Sequence, residues 1–555
     1  MRKTKTYLAL LMAAMMVGSS LAGCGLSSDG GNSNGKNDET TSDNQTADAD
    51  SYINCILNGE PSTLDIAKFT QVYDRTVMQN MLEPLTRVQD GKVVAAGAKE
   101  WTVSDDGLVY TFTLQDNHWS DGEAVTAEDY LYALQREADP ANAWPMASDM
   151  YSIANFEDVF SGSADVSQLG VEAPDDKTLV ITLATPDSSF LSNVDLFPCR
   201  KDYVEQYGDS YGSDADKVIS CGPFTLKEWV HDSSLTFEKN EEYWDKDSVQ
   251  LSKFTFYVMN DINARMSSFE NGSLDYVNVS NSEYIQKFSS DSSLVSEPIS
   301  AGRTFMIVFN CEDEVFSNEK IRLAFSLALD RETMAEIITG GTGVAATGLI
   351  PPESSVGTYN FREKAGDVMG KLQKENTDLK ALLLEGMKEA GLGTDPSALN
   401  VKFSWGATTA DARTYSELVQ KMWKDTLGVN VELEFNDTAT HMSNINSGDY
   451  QCASTSWGAN LEPLFLLSRW ANKKGGQSRW VNSDYTKLVY SGKAENDDAK
   501  RLEKYIEAED MLISSGAIAP CYWTGSIRFS YGYVKNFSDN VFDTIGMKYM
   551  YTSGR

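Results

Sequence analysis

Histidine is almost missing from this 555-residue chain: His118, His231 and His441 are the only three. Cysteine is sparse as well, with seven residues, no two close enough in sequence for a zinc knuckle. With so few imidazoles and thiols, neither a metal site nor any other cofactor is expected. Positive charge is scarce too, since 47 Lys and Arg face 81 Asp and Glu for a net charge of −34. Such a surface repels phosphate backbones, which argues against nucleic-acid binding, and it speaks for solubility more than for any particular ligand. No apolar run reaches the roughly 20 residues that span a bilayer, so no transmembrane helix is expected in the mature chain.

What is present begins at the amino terminus. Arg2, Lys3 and Lys5 precede an apolar stretch from Tyr7 to Val17, and small residues lead to Leu21, Ala22, Gly23 and Cys24. Residues 1–23 therefore form a signal peptide. The Leu-Ala-Gly-Cys ending resembles the bacterial lipobox, in which the cysteine sulfur receives a diacylglycerol and cleavage leaves that cysteine first. Cys24 is then the lipidation site. Residues 24–50 are polar and acidic with almost nothing apolar, too little to offset the entropy of ordering them. They read as a tether with an end-to-end distance on the order of 30 Å, holding a soluble body at the outer face of the cytoplasmic membrane.

The body, roughly 500 residues, is too long for one hydrophobic core and implies two or three domains. Beyond Cys24, six cysteines remain, and an even count outside the cell permits disulfides; Cys199 with Cys221 and Cys311 with Cys452 are candidate pairs. "LVYTFTLQ" from Leu108, "KTLVITLA" from Lys177, "SLTFEKN" from Ser234, "KFTFYVMN" from Lys253, "RTFMIVFN" from Arg303, "NVKFSW" from Asn400 and "VNVELEF" from Val429 have the alternation of strands. "NEKIRLAFSLALDRETMAEIIT" and "ARTYSELVQKMWKDTLG" instead carry apolar residues on one helical face, with Asp330 opening a new helix turn and Gly428 as a stop. Thr126 with Asp129 resembles a capping box. The class is α/β with mixed sheets.

Three stretches are candidates for chemistry. Gly208, Ser210 and Gly212 have the G-x-S-x-G spacing of a hydrolase elbow, but the polar, helix-like residues before them lack the required strand. Glu312, Asp313 and Glu314 offer a carboxylate cluster of the kind glycosidases use, although adjacency is expected by chance among so many acids. Trp144, Trp405, Trp457, Trp470, Trp480 and Trp523 recur beside Gly, Pro or Ser, as core plugs or as walls of a ligand cleft.

"PSTLD" at Pro61, "HWSDGEAVTAEDYLYALQREADP" at His118, "CGPFTLKEW" at Cys221, "NEEYWDKD" at Asn240, "SSFENGSLDYV" at Ser267, "IRLAFSLALDRETM" at Ile321, "ATGLIPP" at Ala346 and "LGVNVELE" at Leu427 resemble, in order, the motifs of the bacterial extracellular solute-binding proteins, family 5. Within that family the stretch from Asp129 to Leu183 most resembles oligopeptide-binding proteins of ABC importers. The resemblance implies a two-lobed Venus flytrap of the periplasmic-binding-protein type with an extra inserted domain, and no catalysis. It implies domain one at 51–85, 218–304 and 520–555, an inserted domain two at 86–217, and domain three at 305–519. It implies a monomer that takes a peptide between its lobes and delivers it to the permease subunits of an importer. The matching cleft positions are Gln71, Val72, Trp144, Met146, Phe305, Trp405, Trp457, Gly458, Asn460 and Glu462. Met146 stands where a tyrosine is common, and Asn460 where an aspartate commonly pairs with the ligand's α-ammonium. Either Glu462 supplies that charge, or the ligand lacks a free amino terminus, or Glu462 simply faces water. Dipeptides, modified peptides and oligosaccharides are alternative ligands, and a secreted hydrolase is the alternative of a different class.

Overall fold

The structure, a computed structural model, describes residues 47–193, 195–472, 474–538, 540–542 and 546–555. The signal peptide, Cys24 and most of the tether lie outside the described residues.

Alternating burial puts one face of Tyr52–Leu57 into a core, and this strand pairs in parallel with Lys253–Val258. Ser234–Lys239 and Phe224–Val230 extend the sheet in antiparallel fashion. The long excursion between residues 57 and 224 contains its own antiparallel sheet, ordered Ala98–Val103, Val109–Leu114, Thr178–Thr182, Val171–Asp175. Ala127–Ala138 packs beside it, opened by the Thr126 and Asp129 capping box, with Thr126 N–H donating to Asp129 at 2.8 Å.

A larger mixed sheet runs in the order Tyr276–Val279, Ile518–Tyr531, Leu294–Phe309, Cys452–Gly458, Val401–Trp405, Val431–Phe435. Its faces are covered by two cores, one around Trp470, Tyr485 and Tyr505, the other around Phe325, Trp423 and Phe403. The strand expected from Arg303 begins nine residues earlier, at Leu294. The added stretch mixes apolar and polar residues without a regular period and is half-exposed, and its strand geometry comes from pairing with Gly525–Tyr531. The helical run after Asn318 is two helices, Glu319–Leu327 and Arg331–Ile338; Asp330 caps the second by accepting from Thr333 N–H at 3.0 Å. Gly428 ends Ala410–Leu427 at φ 79°, where a Cβ is strained.

The disulfide expectation is corrected: Cys55, Cys199, Cys221, Cys311, Cys452 and Cys521 are all free thiols. The candidate partners sit in separate surroundings. Cys199 faces Tyr211 and Arg136, whereas Cys221 Sγ accepts from Glu83 N–H; Cys311 turns to the Phe309 carbonyl, and Cys452 to that of Lys402. No helix among the described residues is long and apolar enough to cross a membrane.

A buried charge network ties the first sheet's neighbourhood together. Glu83 accepts two bonds from Arg87, at 2.7 and 3.1 Å, and two more from Tyr243 OH and Trp244 Nε1, at 2.8 and 3.1 Å. Removing one partner of such a pair strands a buried charge, at about 3–5 kcal/mol. Glu83→Ala should lower stability by about that amount in urea unfolding; a loss below about 1 kcal/mol would mean that the network is not structural. Alkylation of the unfolded, unreduced chain should modify all six of these cysteines, and any protected pair would contradict the free-thiol assignment.

Candidate ligand-binding site

The residues expected at a cleft fall into three groups. In the first, buried Asp74 organises a loop by accepting backbone N–H bonds from Ser62, Thr70 and Gln71 at 2.7, 3.1 and 2.9 Å. This holds Gln71 at the start of Val72–Met81 and leaves Val72 80% exposed. Val72 then shares a cavity of about 490 Å³ with Gly302, Gly458 and Asn460, and with the ion pair of Arg75 and Asp195. Residues hundreds of positions apart thus face one space.

The second group is aromatic. Phe305 lies flat against Tyr522, with centroids 4.7 Å apart and planes 8° apart, and touches Trp405 at 5.3 Å. Trp405 is buried, against Phe403 as well. Trp457 is half-buried, donates from Nε1 to Gln477 at 2.9 Å, and carries the Arg469 guanidinium over its ring. The third group is Trp144 and Met146. Trp144 is 3% exposed, packs on Phe69 and donates to its carbonyl at 3.2 Å, so its ring belongs to the core of the segment that precedes Asp149.

Glu462 does not face water: it is 5% exposed and lies against Arg501, Oε1 to Nη2 at 3.2 Å. It lines a separate cavity of about 380 Å³ with Trp101, Tyr110, Ser188, Leu461 and Arg501. Burial pushes its carboxyl up to about 7, with Arg501 working in the opposite direction. Asn460 faces another space of about 270 Å³ with Asp149, Ser152, Asp187, Phe465 and Lys493, and its carbonyl accepts from Ser354 at 3.0 Å. Around these cavities the segment containing Gly91 and Asp187 meets the one containing Ser355 and Lys493: Lys493 Nζ lies 3.1 Å from Asp187, Ser188 N–H donates to Lys493 O at 3.1 Å, and Ser355 Oγ donates to Gly91 O at 3.1 Å.

Sequence reasoning missed the charged members Arg75, Asp149, Asp187, Asp195, Arg469 and Lys493. None of them carries a local pattern; only the tertiary fold brings five of them to the cavities and Arg469 against Phe465, a wall of one of them. The hydrolase elbow has no supporting geometry, since the helix Lys201–Tyr207 precedes Ser210 where a strand is needed. Asp313 is occupied in turn formation, accepting from Val315 N–H, Phe316 N–H and Gln451 Nε2 at 2.9, 3.1 and 3.0 Å. Among the described residues no group of three or more His, Cys, Asp and Glu is placed to hold a metal ion.

Mixed α/β sheets whose distant segments share several cavities have the architecture of solute-binding proteins of the periplasmic-binding-protein fold. The chain belongs to the bacterial extracellular solute-binding proteins, family 5, whose profile matches residues 92–478. It is 31% identical over 483 residues to the oligopeptide-binding protein OppA of Bacillus subtilis, covering 85% of this chain and 87% of that one. Its fold matches the unliganded open form of the periplasmic murein tripeptide-binding protein MppA with a TM-score of 0.78 and 27% identity, covering 92% and 99% of the two chains. Listeria monocytogenes OppA bound to peptide matches with a TM-score of 0.67, also at 27% identity, over 91% and 99%. Membership makes the protein a substrate-binding component of transport rather than an enzyme.

The Glu462 carboxyl sets a pH test. Its value of about 7 lies above the ordinary 4.5 of an unfolded glutamate, so the folded state holds an extra proton between the two. The stability it contributes is fully present below the unfolded value and is lost as pH rises through about 7. Glu462→Gln cannot titrate, and should gain on the unmutated protein by on the order of 1–3 kcal/mol between about pH 5 and about pH 8 in urea unfolding. A difference that stays flat over that window would show the carboxyl ionised throughout.

Proposed function

We propose that this chain is the lipid-anchored receptor of an ABC importer, capturing oligopeptides between its lobes and passing them to the permease. The observation that carries the reading is a strand edge. Cys452–Gly458 pairs with Leu294–Phe309 along its whole length, from Cys452 to Gly458, but on its other side Val401–Trp405 pairs only with Cys452 and Ala453. Thr455 to Gly458 are thus strand-paired on one side only, beside the cavity that Val72 and Asn460 line. An extended peptide offers main-chain donors and acceptors at the spacing such an edge needs, and leaves its side chains to roomy pockets. The peptide-binding names of the relatives support the same ligand class.

In this reading the chain divides into domain one at 51–85, 218–304 and 520–555, domain two at 86–217, and domain three at 305–519, working as a monomer. Gln71, Val72, Trp457, Gly458 and Asn460 contact the ligand, and Phe305 and Trp405 support the wall behind them. Cys24 holds the body at the outer face of the membrane through its acyl chains. Asn460, a neutral amide, favours peptides whose amino terminus is blocked or bound elsewhere, because an amide exposes donors that repel an ammonium. Glu462 is engaged with Arg501 and faces a different cavity.

Two experiments test this. Calorimetry with peptides carrying free and acetylated amino termini should show binding without turnover and little cost of acetylation, whereas Asn460→Asp should create a preference of about tenfold for the free amine. Failure to bind any peptide from a mixed library sinks the reading. Cys24→Ser should move the protein from the membrane fraction to the medium on detergent partitioning; a variant that stays with the membrane refutes the anchor.

A further inference from the structure

The corner beyond Trp457 is rich in hydrogen-bond donors and poor in acceptors. The Arg469 guanidinium carbon lies 4.2 Å from the Trp457 ring centroid and 4.5 Å from that of Phe465. Attraction to two rings fixes the planar cation but uses none of its five N–H donors. Arg87, Arg136 and Arg501 each pair with a carboxylate, whereas among the described residues no carboxylate reaches ion-pair distance of Arg469 and no acceptor takes a hydrogen bond from it. Next to it, Gln477 spends its carbonyl oxygen on the Trp457 indole, and its Nε2 is buried without a partner among the described residues, as is Trp470 Nε1.

The opposing charge is Asp149, an exposed carboxylate on the segment after Trp144. It lines the same cavity as Asn460, Phe465 and Ser468, and it acts on Arg469 through space only. A half-buried cation loses hydration, and a corner of unfilled donors is completed by a negatively charged acceptor. Arginine suits a carboxylate best, through two parallel N–H···O bonds, and clamping between rings removes much of the orientational entropy that a free guanidinium would lose on binding.

We infer that Arg469 is a specificity-determining residue that receives a carboxylate of the bound ligand, either the C-terminal group of a peptide or an acidic side chain. This rests on the peptide reading above. It gives the site a polarity: the anionic end of the ligand goes to Arg469, and Asp149 across the cavity turns it away from the opposite wall and favours cationic groups there.

The test uses peptides that the unmutated protein retains from a mixed library, resynthesised in four forms: free acid, C-terminal amide, with an Asp or Glu side chain, and with the matching Asn or Gln. Calorimetry should show a preference of about tenfold or more for a carboxylate form over its neutral counterpart. The preferred pair, acid over amide or acidic over amide side chain, identifies which carboxylate docks. Arg469→Gln should erase the preference, weakening the carboxylate forms about tenfold more than their neutral counterparts, and Arg469→Lys should keep only part of it. If Arg469→Gln melts well below the parent, Arg469→Lys decides, because it retains the charge but not the fork. An unmutated protein with no preference, a preference unchanged in both variants, or an equal loss for charged and neutral forms overturns the inference. Failure of the unmutated protein to bind any peptide overturns the peptide reading itself, a separate result.

Discussion

The pairing of two long strands, Leu294–Phe309 with Ile518–Tyr531, is the constraint on which the rest of the molecule depends. Their ladder starts at Leu294 opposite Tyr531, against a small core of Phe269, Phe288 and Phe529, and ends at Val308 opposite Ile518, between the two large cores of the mixed sheet. Each strand is therefore one continuous chain through regions that bury separate apolar sets. The register breaks between Ser300 and Thr304. A break leaves backbone unpaired and increases local twist, so bending costs least there. Gly302 lies inside the break at φ 57°, a conformation open to glycine, and a Cβ at that position would come within 2.7 Å of Val541. The point of least resistance is thus also a wall of the cavity that Val72 and Asn460 share. The wall of that cavity and the break between the two ends of the ladder are therefore the same stretch of backbone.

The remaining cavities follow from how the excursion between residues 57 and 224 is tied back. Lys493 to Asp187 and Ser355 to Gly91 fasten it to the far side of the mixed sheet, and both ties are short and polar rather than apolar. A neutral hydrogen bond of this kind contributes about 0.5–1.5 kcal/mol net, and one to a charged group about 1.5–3 kcal/mol. The heavier fastening is at the other end, where Glu83, Arg87, Tyr243 and Trp244 are buried together. The excursion is thus tied by a buried charge network to the first sheet and by fewer polar contacts beside the cavities near Asn460 and Glu462.

Much of the scaffold was legible because its elements satisfy their own periodicity. Val109–Leu114, Thr178–Thr182 and Lys253–Val258 alternate, Ala410–Leu427 keeps one apolar face, and Asp330 and Gly428 act where local capping rules place them. What escaped depends on partners distant in sequence. Leu294–Ala301 is a strand only because Tyr531 and its neighbours lie alongside, and Pro298 within it argues locally against a strand. Glu462 before Pro463 looks like a solvated acid until the fold brings Arg501 against it. The cleft positions taken from the family pattern were placed unevenly: Val72, Gly458 and Asn460 converge, whereas Trp144 is spent on packing. Pattern matching locates a position along the chain; whether its side chain reaches the cavity depends on local packing, and Phe69 decides that for Trp144.

The charge distribution poses a last problem. A chain of net charge −34 repels anions, yet Arg75, Lys493 and Arg501 line the cavities and Arg469 packs behind the cavity wall on Phe465. At physiological ionic strength the Debye length is about 8 Å, so most of the acidic surface is screened before it reaches a ligand inside the cleft. Within the cleft water is thinned and screening weakens, and nearby groups dominate. Three of the four cations are already paired there, Arg75 with Asp195, Lys493 with Asp187 and Arg501 with Glu462, so they contribute dipoles rather than net attraction. Arg469, restrained by rings instead of a carboxylate, keeps its charge available. The acidic exterior therefore governs solubility while orientation inside the cleft is left to individual pairs, and the two functions can vary independently in sequence.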